Sequence, residues 1–120
     1  MDIESFRLYC LAKKGVTEEF PFDEKTLVFK VMNKMFALCG LERIPLQIAL
    51  KCDPERAIEL REEYDGLITG AYHMNKTHWN SLVVEMLPPG LVRELIDHSY
   101  DLIVKSLPKK VQEELKNIEN

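Results

Sequence analysis

The spacing of apolar positions changes several times along this chain and divides it into helical and extended stretches. Over residues 2–13, Ile3, Phe6 and Cys10 recur at helical spacing and Gly15 supplies a stop, which predicts a helix. Residues 16–25 read as a connector, with Phe20 and Phe22 flanking Pro21 and expected to anchor it to the core. Period-two alternation follows. Residues 26–32 put Leu27, Phe29 and Val31 on one face and Val28 and Lys30 on the other. Asn33-Lys34 is predicted as a tight hairpin turn, because Asn tolerates positive φ. Residues 35–39 return with Phe36 and Leu38 on one face. After a loop at 40–45, residues 46–51 turn Leu46, Ile48 and Leu50 inward and Gln47, Ala49 and Lys51 outward.

Helical spacing resumes at Asp53-Pro54, where Asp53 can cap and Pro54 suits the first helical position. Ala57, Leu60 and Tyr64 make the stripe, and Gly66 follows the end. Residues 67–72 form a short extended candidate. Residues 78–86 read as a strand with Leu82, Val84 and Met86 on one face. Pro88-Pro89-Gly90 breaks the chain before a helix over 91–106, with Val92, Leu95, Ile96, Ser99, Leu102 and Ile103 on one side. Pro108 starts a last polar helix at about 109–117. Strands grouped before a crossover helix predict one α+β domain over residues 1–120. It would be a two-layer α/β sandwich with a mainly antiparallel sheet, helices on one face and the other face more open.

Composition narrows the class. The chain has 120 residues, 46% of them hydrophobic and 30% charged, with 5 Gly and 6 Pro, which fits one folded core rather than disorder. Cys10, Cys39 and Cys52 are odd in number and lack CxxC spacing, a pattern of reduced thiols in the cytoplasm. The N-terminus lacks the basic and apolar regions of a secretory signal, and no apolar run reaches bilayer-spanning length, so no membrane partner is expected. The net charge is −4, so any polyanion must be met by a local basic patch. Lys30, Lys34, Lys51 and Lys76 fall on or beside strands, with Lys30 and Lys51 expected on the same open face. Lys105, Lys109 and Lys110 cluster near the C-terminus. Glu55, Glu59, Glu62 and Glu63 make the exposed face of the 54–64 helix acidic.

The densest polar and aromatic block is Tyr72 to Asn80. His73, Asn75, Lys76 and His78 can donate to phosphates, and Trp79 or Tyr72 can stack on a base. The same residues also read as fold-makers, with the aromatics packing the sheet and the polar groups serving loop carbonyls. His73 and His78, with Cys52 or His98, lack the second ligand pair of a zinc site, so neither metal nor cofactor is expected. No G-x-S-x-G, P-loop or G-x-G-x-x-G occurs. Cys52 beside Asp53 lacks an adjacent cation, and Ser99 lies on an apolar stripe. The expectation is a binding module rather than an enzyme.

Four segments resemble the MmcQ/YjbR family of small bacterial proteins. They are Gly15 to Phe22 leading into Thr26-Leu27-Val28-Phe29-Lys30-Val31, then Leu50-Lys51-Cys52-Asp53-Pro54-Glu55, then Tyr72 to Trp79, and finally Leu95 to Tyr100 with Leu107-Pro108-Lys109-Lys110. The resemblance covers nearly the whole chain, and Tyr72-His73-Met74-Asn75-Lys76-x-His78-Trp79 is its most specific block. It implies a YjbR-like, secretion-chaperone-like antiparallel fold and DNA binding through a proposed double-wing surface. It carries over no catalytic residues, and Thr77 stands where similar sequences often place a basic residue. On this reading Lys30, Lys51, His73, Asn75, Lys76, His78 and Trp79 meet a DNA backbone weakly and in a salt-sensitive way. The alternative is a protein-binding or self-associating surface on the open face, built on Val28, Ala37 and Ala49.

Overall fold

The longest apolar stripe in the chain becomes the helix on which the sheet packs. In a computed structural model that describes residues 1–72 and 74–118, the elements run α1 (Ile3–Leu11), β1 (Val16–Glu19), β2 (Thr26–Val31), β3 (Lys34–Gly40), β4 (Gln47–Lys51), α2 (Pro54–Glu63), β5 (Ile68–Gly70), β6 (Trp79–Val83), α3 (Pro89–Ser106) and α4 (Lys109–Lys116). The six strands form one antiparallel sheet in the order β1-β2-β3-β4-β6-β5. α3 lies across β2, β3 and β4, while α1 sits by β1 and α2 by β5. The fold is therefore α+β with the helices on one face, as the strand grouping predicts. Phe6 of α1 meets Phe29 of β2 edge to face at 5.3 Å, and Phe36 of β3 meets Tyr100 of α3 at 5.5 Å. All three phenylalanines are fully buried, each worth about 1.5–3 kcal/mol in transferred apolar surface.

Local chemistry sets the helix starts. Asp2 accepts from the Ser5 N–H at 2.8 Å, and Asp53 accepts from the Arg56 N–H at 3.2 Å with Pro54 in the first turn. Several sequence expectations are corrected. The 16–25 connector contains β1, an edge strand whose Val-Thr-Glu-Glu sequence has too little apolar alternation to announce it. The hairpin turn is Met32-Asn33 rather than Asn33-Lys34, with φ of 48° and 69°, the left-handed pair that a two-residue hairpin needs. β6 ends at Val83, and residues 84–86 form a 3-10 turn that leaves Met86 exposed. Phe20 and Phe22 do not enter the core and remain 52% and 69% exposed.

The main departure is in β3. Phe29 pairs with Ala37 and Lys30 with Met35, so Phe36 is an extra residue between them, a β-bulge. Phe36, Ala37 and Cys39 thus all join the core, and Leu38 turns to the open face with Met35. Simple alternation puts Leu38 inside and Ala37 outside. The bulge reverses both.

Candidate functional site

The open sheet face is not flat. Met35 and Leu38 from β3, Gln47 and Ala49 from β4 and Ser81 from β6 form a floor, since Leu38 pairs with Ala49 and Ala49 with Ser81. Phe22, from the segment before β2, stands on one side. Ala71, Tyr72 and Met74, after β5, stand on the other. They enclose a largely apolar groove of about 470 Å³. That volume lies within the range of about 300–1,000 Å³ usual for small-ligand clefts.

Among the described residues, one charged side chain, Arg43, lines the groove. The Arg43 stem crosses Gly40 so closely that a Cβ there would stand 2.8 Å from Arg43 Cγ, a place only glycine leaves open. The Arg43 guanidinium donates to Gln47 Oε1 at 3.0 Å. Neighbouring Glu42 is engaged with Lys25 at 3.4 Å, and no carboxylate pairs with Arg43 among the described residues.

The residues singled out in the sequence are not gathered into one patch. Lys30, Lys51 and Trp79 do share the open face. Trp79 is directly opposite Lys51, and Lys30 lies two strands away, about 10 Å by ordinary strand spacing. Lys30 is already paired with Glu19 at 3.5 Å. Lys76 is on the other side of the sheet. Its stem packs on Gly70, which pairs with Asn80, and Asn80 is turned towards α2, where it accepts from Arg61 Nε at 2.7 Å and donates to the Ala57 carbonyl at 3.3 Å. The Lys76 carbonyl also accepts from Arg61. Asn75 shapes its own turn: its side chain accepts from the Thr77 N–H at 2.9 Å, and its carbonyl accepts from the His78 and Trp79 N–H groups. His78 is half-buried, with its carbonyl accepting from the Cys52 N–H at 2.8 Å. His73 lies outside the described residues.

Chemically reactive groups are held elsewhere and occupied. The Ser99 hydroxyl donates to the Phe36 carbonyl at 2.5 Å and accepts from the Lys51 N–H at 2.9 Å. His98 Nε2 accepts from the Asp53 N–H at 3.1 Å, and burial, then the Arg56 charge, hold its pKa below the ordinary value. All three thiols are buried. Burial pushes Cys10 far up and Cys39 up to about 11. Among the described residues, no three His, Cys, Asp or Glu side chains are placed to hold a metal ion, and no helix is long and apolar enough to cross a membrane. Arg43 and Met35 escaped the sequence reading, and Phe22 and Met74 read there as a core anchor and part of the Tyr72–Asn80 block, because their place at the groove depends on how a loop or a bulge folds over the sheet.

A family model described as YjbR matches residues 11–102. The uncharacterised protein YbdF of Escherichia coli O157:H7 is 36% identical over 99 residues, covering 81% of this chain and 80% of that protein. The uncharacterised protein YjbR of Escherichia coli K12 is 31% identical over 111 residues, covering 92% and 93%. A crystal structure of a Deinococcus radiodurans protein with a DUF419 domain superposes with a TM-score of 0.88 at 38% identity, covering 95% of this chain and 87% of that one. A Pseudomonas syringae protein superposes at 0.73 and 28% identity, covering 85% and 98%.

Proposed function

This chain belongs to the YjbR family, and from that premise we propose a non-enzymatic binding module that receives the apolar part of a ligand in the groove on its open sheet face. The observation that carries this reading is the groove itself, with Leu38, Ala49 and Met35 left facing outward on the side opposite the helices. A neutral solvatochromic dye such as Nile red tests it. Its fluorescence is expected to rise with the wild-type protein and to fall back with Ala49→Phe, which fills the floor. Dye binding unchanged by that substitution would place the apolar site elsewhere. The three buried thiols suit a reducing compartment, and we place the module in the cytoplasm.

DNA, the ligand implied by the family resemblance, is the second reading. It is favoured by Lys51 and Trp79 standing side by side on the open face, with Lys30 nearby. A cation beside an aromatic ring suits a phosphate and its base. Fluorescence anisotropy of a labelled duplex at two salt concentrations tests it. Binding that weakens steeply with salt and is lost in Lys51→Glu but kept in Lys76→Glu would support the open face. Absence of binding at either salt would remove DNA.

A further inference from the structure

We infer that the groove selects a small organic carboxylate with an apolar, preferably aromatic body, and that Arg43 is the residue that reads the carboxylate. The inference rests on the groove being a ligand site and adds the ligand's chemistry. Three observations lead to it. The enclosed volume of about 470 Å³ suits one small molecule rather than a broad macromolecular face. Met35 and Met74, with Phe22 and Tyr72, surround that volume with polarizable thioethers and rings, surfaces that favour an aromatic guest. Finally, among the described residues Arg43 is the one charged member of the lining, and the hydrogen bond its guanidinium makes goes to the neutral Gln47.

The third observation fixes the sign of the ligand's charge. A guanidinium presents five donors in a planar fork suited to a carboxylate. Gln47 takes one of them, and Glu42, the nearest acid in sequence, is turned to Lys25. Gly40 lets the Arg43 stem lie across the end of β3, at the rim of the groove, with the residue still exposed. Among the described residues, no acidic side chain lines the groove to repel an anion. Gln47 keeps Arg43 oriented without neutralising it.

The test compares naphthylacetate with its nearly isosteric neutral amide by isothermal titration calorimetry, using wild-type protein, Arg43→Gln and Ala49→Phe. Wild type is expected to bind the acid at least about tenfold more tightly than the amide, the scale of one charge-assisted contact. Arg43→Gln should remove that preference while leaving amide binding in place, and Ala49→Phe should weaken both. Equal binding of acid and amide, unaffected by Arg43→Gln but abolished by Ala49→Phe, would overturn the carboxylate while keeping the groove. Failure of both probes to bind would overturn both. A dimer in light scattering that Phe22→Ser converts to monomer, with neither probe bound, would assign the groove to a second copy of the chain and overturn the inference.

Discussion

Ser99 shows how one hydroxyl can settle a problem created two elements away. The bulge at Phe36 lies in the β2–β3 ladder, and the β3–β4 ladder ends at Ala37–Leu50, leaving the Phe36 carbonyl and the Lys51 N–H to the helix layer. Ser99 serves both. On sequence alone it looks like a polar intrusion in an apolar stripe, because the bulge that requires it has no local signature. Ser99→Ala should cost about 1–3 kcal/mol for each of the two groups left unpaired, read as a lower urea midpoint. His98 offers a second check at this scale. Its Nε2 accepts a hydrogen bond only when neutral, and its pKa is lowered from 6.5. The unfolded chain therefore takes up the proton first as pH falls. His98 contributes stability that is full above about pH 6.5 and is lost as pH drops through the folded value. Thermal melts of His98→Gln, which retains an acceptor without titrating, should lack that acid-side component. A variant with the wild-type profile would assign the slope to other groups.

At the scale of elements, β2, β4, α2 and α3 were legible because their patterns run long enough to show a period. Asp53-Pro54 even marked the start of α2. β1 was not legible, since a short edge strand with two glutamates carries no buried face of its own. The turn was displaced by one residue because Met32, a residue seldom found at positive φ, occupies its first central position. Another left-handed residue joins elements instead of strands. Gly15, at φ 73°, lets the chain pass from α1 to β1 while Leu115 of α4 fills the space where a side chain would stand. Gly15→Ala would put a Cβ 2.5 Å from Leu115 Cδ1. It should destabilise by about 1–2 kcal/mol from the backbone alone, with a further cost from the displaced leucine. A double-mutant cycle with Leu115→Ala checks this: the two changes should be non-additive, with the leucine part of the cost relieved.

On the scale of the whole molecule, the candidate site was less legible than the fold. Period-two alternation placed Lys30 and Lys51 on one face correctly, but it could not say that Glu19 would neutralise one of them. The Tyr72–Trp79 block looked like a single site because its residues are adjacent in sequence. In space it wraps the β5 end of the sheet, with Tyr72 and Met74 at the groove and Lys76 on the helix side. The groove, by contrast, is assembled from positions on four strands and three loops, and no window of sequence contains it.

The strand order has a consequence for motion. β1 to β4 are neighbours in sequence and in space, so their ladders close over short loops. β4 and β6 become partners only across residues 52–78, which carry α2 and the outer strand β5. Long closures are the slow step in assembling a sheet and a natural line for partial opening. Amide protons of β6 should therefore exchange with solvent sooner than those of β3. The groove floor straddles this seam, with Ala49 on one side paired to Ser81 on the other. Whatever fills the groove acts as a staple across it, so occupancy can be timed as a slowing of β6 exchange, without a chromophore and before the ligand has been identified.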